Sequence, residues 1–282
     1  MEITYDFNPT ISVGLGYTSS LISVGVGYNA TIGTDYKNND KSYNPVTHTP
    51  VLVLNAMDNA FRMAIPIQVY VDNDNMGGTK TTLTAVSFDA QFRYYTGLDA
   101  LPQIRLYLRY GGANSKSGDI SEKIGESFGF DFRLYFGSMV EEVALQPIIK
   151  LAYNGALGKY HDNTRVEAVN FMGGIGLTSG EALAKGAWDL KLTPALGLTA
   201  NSDIVSLYVE PSLGLKITQH GSDIDKNAKE LYELGYGIYA EIYITPLKNL
   251  EWYFEADVGN LNTTKGLAFA GSTGITWYLP AL

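Results

Sequence analysis

Apolar and polar residues alternate along most of this chain. The cleanest stretch is 126–153. Phe128, Phe130, Phe132, Leu134 and Phe136 fall in one phase, and Gly129, Asp131, Arg133 and Tyr135 in the other. Side chains of a strand point to opposite faces with period two, so one face is wholly apolar and the other carries a carboxylate and a guanidinium. After a polar connection at 137–142, Val143, Leu145, Pro147, Ile149, Leu151 and Tyr153 alternate with Ala144, Gln146, Ile148, Lys150 and Ala152. Two long strands joined by a tight turn form a hairpin, and nearly the whole chain reads as repeats of it.

The same pattern marks 11–17, 22–32, 61–71, 86–94, 104–110, 188–198, 205–217, 234–244, 250–258 and 267–279. A weaker strand at 51–55 is ambiguous in phase, and one at 169–177 is less regular. Polar stretches at 33–49, 72–81, 111–126, 154–164 and 219–228 read as loops. The first four of these follow every second strand; the fifth comes after three. Pro66, Pro147, Pro194 and Pro211 fall inside strands. Proline removes a ladder donor, so these positions predict bulges.

Run length separates this pattern from a soluble sandwich or β-solenoid, since soluble strands have a mode near 5–6 residues. Aromatic residues cluster near strand ends in the apolar phase: Tyr17, Tyr28, Tyr94, Tyr110, Phe136, Tyr153, Trp188, Trp252 and Trp277. Such side chains favour membrane interfaces. In lipid no backbone group can go unpaired, so spanning strands must close on themselves. The expected fold is all-β: a single domain over 1–282, a closed antiparallel transmembrane β-barrel of about 14 strands, within a range of roughly 12–16.

Composition supports this. The chain is 12% aromatic with 20 tyrosines and 30 glycines, and it has no cysteine. Neither disulfides nor thiolate metal sites are therefore available. Mean hydropathy is −0.03, and no apolar run approaches the ~20 residues of a membrane helix. A net charge of −9 argues against nucleic acid as a partner, because phosphate binding needs a basic surface. No secretory signal opens the chain. Met1-Glu2-Ile3-Thr4 reads as the start of a strand, as in the mature form of an exported protein with an added start methionine.

In pattern and size, over its full length, the chain resembles the porin-like outer-membrane barrels of Gram-negative-type bacteria. That class often ends in an alternating segment with a terminal aromatic. Here Ile275, Trp277 and Leu279 carry the alternation and Pro280-Ala281-Leu282 replaces the aromatic, which fits a divergent lineage such as a spirochaete. The resemblance implies residence in the bacterial outer membrane, with lipid, lipopolysaccharide or detergent around the barrel and small hydrophilic solutes inside it.

With the apolar phase facing lipid, the other phase lines the lumen. Arg62, Arg93, Arg105, Arg109, Arg133 and Lys150 form a basic arc, with Asp89 and Asp131 among them. Glu210, Glu233, Glu241, Glu251, Glu255 and Asp257 form an acidic arc, with Lys216 among them. A third arc is small and uncharged: Ser12, Gly14, Gly16, Ser23, Gly25, Gly27, Ala268, Ala270, Ser272 and Gly274. Two readings of the lumen compete. In one, opposed charged walls flank a wet pore and set its selectivity. In the other, neighbouring charges neutralise each other in a filled interior. A barrel of about 14 strands is too wide for side chains alone to fill.

Catalysis has little support. His48, His161 and His220 all fall in expected loops, and no G-x-S-x-G occurs. Two acidic loops, 223–227 and 72–75, fail the spacing of a calcium loop: Ala228 stands where the turn needs Gly, and Leu234 where the bidentate Glu belongs. No cofactor, metal site or enzyme activity is expected. Three functions remain: a diffusion channel with weak selectivity and a modest cation preference, a surface or adhesion barrel whose loops carry the function, and a transporter of a hydrophobic solute. The polar inward phase, and the roughly nine residues before the first strand, too few for a plug, weigh against the third.

Overall fold

A computed structural model of the protein describes residues 6–7, 9–35, 46–74, 81–138, 144–157, 188–219, 230–261 and 266–277. Every regular element among them is a strand. Two short pieces, β1 (Asp6–Phe7) and β4 (Thr34–Asp35), pair with each other. The rest are β2 (Thr10–Thr18), β3 (Ile22–Ile32), β5 (Val46–Ala56), β6 (Phe61–Asp74), β7 (Thr81–Tyr95), β8 (Gln103–Ser117) and β9 (Ile120–Tyr135), followed by β10 (Ala144–Ala156), β11 (Trp188–Asn201), β12 (Val205–Gln219), β13 (Leu231–Leu247), β14 (Leu250–Gly259) and β15 (Ala268–Trp277). They form one 13-stranded antiparallel sheet in chain order. Each expected segment but one is present; the strand expected at 169–177 lies outside the described residues.

The sheet is inside out relative to a soluble protein. Leu15 is 78% exposed and Phe269 76%, whereas Asp189 and Lys216 are each 3% exposed. The polar face is the concave one. A single cavity is lined from Gln103 on β8 round to Asp257 on β14. Lys150 on β10 reaches Glu210 on β12, passing over β11. This is the β-barrel expected from the alternation: lipid solvates the apolar face, and the polar face turns inward. Among the described residues no ladder joins β15 to β2. With thirteen antiparallel strands these two run in the same direction, so a direct seam between them would be parallel.

Aromatic residues mark two levels on the apolar face. Phe61 lies opposite Tyr94 at one level. At the other, Phe88 lies opposite Tyr110, which in turn lies opposite Phe128. Leu106, Leu108, Phe130 and Phe132 sit between the levels on the same strands. Two such girdles around an apolar band are the signature of a transmembrane barrel.

The structure corrects three expectations. Residues 111–126 are not a loop. β8 and β9 run through them and meet at a two-residue turn, Gly118–Asp119, where Gly118 adopts φ 59°. On this tip the outward phase is polar (Gly112, Asn114, Lys116, Glu126), and the Tyr110 hydroxyl donates to Glu126 Oε1 at 2.5 Å. The hairpin projects beyond the lipid, where an apolar phase is not required. Second, β5 begins at Val46, so His48 is in a strand and its Nδ1 lies 2.6 Å from the Tyr28 hydroxyl. His161 and His220 lie outside the described residues. Third, the four named prolines cause no bulge. The ladder drops rungs beside them but keeps its register, for instance from His48–Val69 to Val51–Pro66. The register shifts are at Ala113/Asn114 and at Ile244/Leu247, which encloses Pro246. Each such gap drops two successive pairs and requires no extra residue.

With these corrections the connections sort by end. One end carries 19–21, 57–60, 96–102, 136–143, 202–204 and 248–249; the other carries 33–45, 75–80, 118–119, 157–187, 220–230 and 260–267. The longest lie together at the second end, as in barrels with short periplasmic turns and long external loops.

Placing Arg at Phe132 puts a charge in lipid and should cost about 2–4 kcal/mol near the midplane. Ser272 lies on the inward face and its Oγ donates to Glu255 Oε2 at 3.1 Å. Ser272→Arg should be nearly neutral, since the new cation meets a carboxylate. Denaturant titration of the refolded protein measures both, and equal losses would contradict the assignment of faces.

Candidate functional site

The strand register turns the basic arc into a line. Arg62 lies opposite Arg93, Arg93 opposite Arg105, Arg105 opposite Arg133 and Arg133 opposite Lys150. Five cations therefore sit side by side across β6 to β10, all on the inward face. Arg109 lies outside this line, opposite Asp89, with its Nε 3.5 Å from the carboxylate. Like charges directly opposite one another destabilise a sheet, so the line persists only through what surrounds it.

Among the described residues, two of the five have carboxylate partners. Arg133 Nη2 donates to Asp131 Oδ2 at 2.5 Å, and Lys150 pairs with Glu210. Aromatic faces support others. The Arg62 guanidinium lies 5.3 Å from the centre of the Tyr95 ring, and Arg105 lies 4.7 Å from that of Tyr135. The Tyr107 ring has Arg133 at 5.2 Å and Arg109 at 5.9 Å. Ring quadrupoles attract cations without cancelling their charge. These tyrosines were not singled out in the sequence, although each stands two residues from an arginine on the same face.

Like charges also face each other on the acidic side. Glu241 lies opposite Glu255, and Tyr239 sits between Glu210 and Asp257 in the ladder. The Tyr239 hydroxyl contacts Glu241 and lies 2.9 Å from Glu255 Oε1. The Tyr208 hydroxyl donates to Glu210 Oε2 at 2.5 Å. The structure thus draws Glu210, Glu241, Glu255 and Asp257 together. Glu251 lies nearer the short turn, opposite Thr276. Glu233 is apart, near the long-connection end, with an oxygen 3.8 Å from Lys216 Nζ.

A second charged cluster emerges from the fold. Lys191 Nζ lies 3.0 Å from Asp189 Oδ2, Asn154 Nδ2 donates to Asp189 Oδ1 at 3.0 Å, and Lys216 lies opposite Lys191 and donates to the Asn260 carbonyl at 2.9 Å. Burial here is nearly complete. Its members all stand in the polar phase of their strands, but only the register shows that they meet. Opposite charges pair off around Asp189, Lys191 and Lys216. Between the basic line and the acidic wall lies a cavity of about 800 Å³, bordered by Arg105, Lys150, Glu210, Tyr239, Glu241 and Asp257.

Residues 2–278 match the model of a family described as Serpulina hyodysenteriae variable surface protein. The chain belongs to that family. No curated protein matches the sequence. Among solved structures, the crystal structure of the transport unit of the autotransporter AIDA-I from Escherichia coli is similar at 15% identity, covering 99% of this chain and 91% of that one, with a TM-score of 0.37. A surface-protein family and an inside-out barrel together make this an outer-membrane β-barrel of the cell surface.

The Lys150–Glu210 pair bridges alternate strands, and Glu210 is 5% exposed. Glu210→Gln should lower stability by about 1–3 kcal/mol, because the ammonium loses its charged partner in a confined site. Adding Lys150→Met should restore part of the loss. The thermal midpoint of the refolded barrel in detergent checks both.

Proposed function

We propose that the protein is a channel through which ions and small hydrophilic solutes cross the outer membrane, with the longer connections facing outward. The observation that carries this reading is the placement of like charges side by side on both inward walls. Arg62, Arg93, Arg105, Arg133 and Lys150 do so on one, and Glu241 and Glu255 on the other. In the buried cluster the opposed Lys191 and Lys216 each lie within ion-pair distance of a carboxylate, whereas Arg62, Arg93 and Arg105 have none among the described residues. Like charges without such partners need water between and around them, because an effective dielectric near that of water reduces their repulsion to about 1 kcal/mol at 4 Å. The cavity bordering both walls gives that water its place. Because cations on one side face anions on the other, the channel is weakly selective.

A second reading is a surface barrel whose connections carry the function. Two observations favour it: the family description, and the gathering of the long connections at one end. Planar-bilayer recording separates the two. The channel reading expects steady conductance from refolded protein; its absence favours the surface barrel. Reversal potentials under a salt gradient test the walls. Arg105→Ser with Arg109→Ser should raise cation preference, and Glu241→Ser with Glu255→Ser should lower it. Both effects should shrink in molar salt, where the Debye length falls to ~3 Å. Unchanged reversal potentials in both would take these residues out of the conducting path.

A further inference from the structure

The cations of the basic line are not equivalent. Arg133, Lys150 and, beside the line, Arg109 each have a carboxylate within ion-pair distance. Arg62, Arg93 and Arg105 have none among the described residues, and they are the three consecutive members at one end of the line. Adjacent strands lie about 4.8 Å apart, so these three cations span roughly 10 Å.

Their neighbours hold them in place without neutralising them. Arg62 lies over the Tyr95 ring and its Nε donates to the Asn59 carbonyl at 3.3 Å. Arg93 Nη1 donates to the hydroxyl of the same Tyr95 at 3.4 Å. Arg105 lies over the Tyr135 ring, and its Nε donates to Oε1 of the buried Gln103 at 2.9 Å. Each guanidinium therefore has one N–H group engaged and further donors with no partner among the described residues. A guanidinium edge matches an oxyanion bidentately, and prior immobilisation lowers the entropic cost of binding. Arg105 borders the cavity, and Arg62 at the other end of the trio is exposed, so an ion in the lumen can approach the trio.

We propose that Arg62, Arg93 and Arg105 form a binding site for a soluble oxyanion carrying several charges, of the oligophosphate class. Such an ion bridges two or three guanidinium groups and relieves the repulsion between directly opposed arginines. A single-charge anion offsets at most one of the three positive charges, so the site favours multivalent over monovalent anions even in a weakly selective lumen. The proposal rests on the wet-lumen reading above, and its test does not depend on current.

The experiment is isothermal titration of the refolded full chain in a zwitterionic detergent with tripolyphosphate, with chloride as competing ion. Saturable binding that weakens with salt is expected for the wild type. Arg93→Gln with Arg105→Gln should weaken it about tenfold or more, which corresponds to 1.4 kcal/mol. Arg93→Lys with Arg105→Lys, which keeps charge and loses the fork, should fall between. Arg109→Gln, at a cation already paired with Asp89, should bind as the wild type does. Circular dichroism and heat-modifiable migration verify that each variant is folded. If the double Gln variant were misfolded, the double Lys variant would decide: affinity equal to wild type overturns the site. So does an equal loss on Arg109→Gln, which would show general attraction to a basic wall. Binding without conductance sinks the channel and leaves the site; conductance without binding sinks the site and leaves the channel.

Discussion

A peptide group in hydrocarbon has no water to bond, and leaving it unpaired costs several kcal/mol. The rest of this structure depends on that constraint. It explains the length of the strands, since each must carry its hydrogen-bond ladder across the whole apolar zone. It also explains the succession of strands in chain order, because each hairpin satisfies its own backbone before the next is added. The ladder tolerates small defects. Beside prolines it is interrupted for two successive pairs, and the register on either side is unchanged.

The interior then has to satisfy its own charges. Here it does so in two ways. Around Asp189, Lys191 and Lys216, opposite charges, an amide and a backbone carbonyl meet in a nearly solvent-free cluster. Elsewhere, tyrosines interleave with charges of one sign: Tyr95, Tyr107 and Tyr135 among arginines, Tyr208 and Tyr239 among carboxylates. One residue type serves both walls because the ring face attracts cations while the hydroxyl donates to anions. The 20 tyrosines of this chain are thus more than interfacial residues.

Much of this was legible in the sequence. Period-two alternation located the strands and assigned their faces, because lipid demands an unbroken apolar phase wherever it touches the barrel. The same test failed at 111–126 because that hairpin leaves the lipid, and Lys116 and Glu126 can then occupy the outward phase. It was ambiguous at 51–55 because Val51 and Val53 take the inward phase opposite Gly27 and Gly25, so β5 is apolar on both faces. The charged residues were also legible, but their arrangement was not. That Arg93 lies between Arg62 and Arg105, or that Lys150 reaches Glu210 over an intervening strand, depends on register. No local pattern encodes register; turn lengths and bulges accumulated along the chain determine it.

The grouping of connections by end has a consequence for how such a chain can change. Within a strand, one inserted residue turns every following side chain over and exchanges the lipid and water faces. Beyond the last ladder pair among the described residues, such as Thr218 with Leu231, an added residue shifts no pair of that ladder. Residues can be gained, lost or replaced there without disturbing a single one of its rungs. The molecule is thus divided into a frame that reads in twos and caps that keep no count, and the caps can diverge freely while the walls of the lumen stay the same.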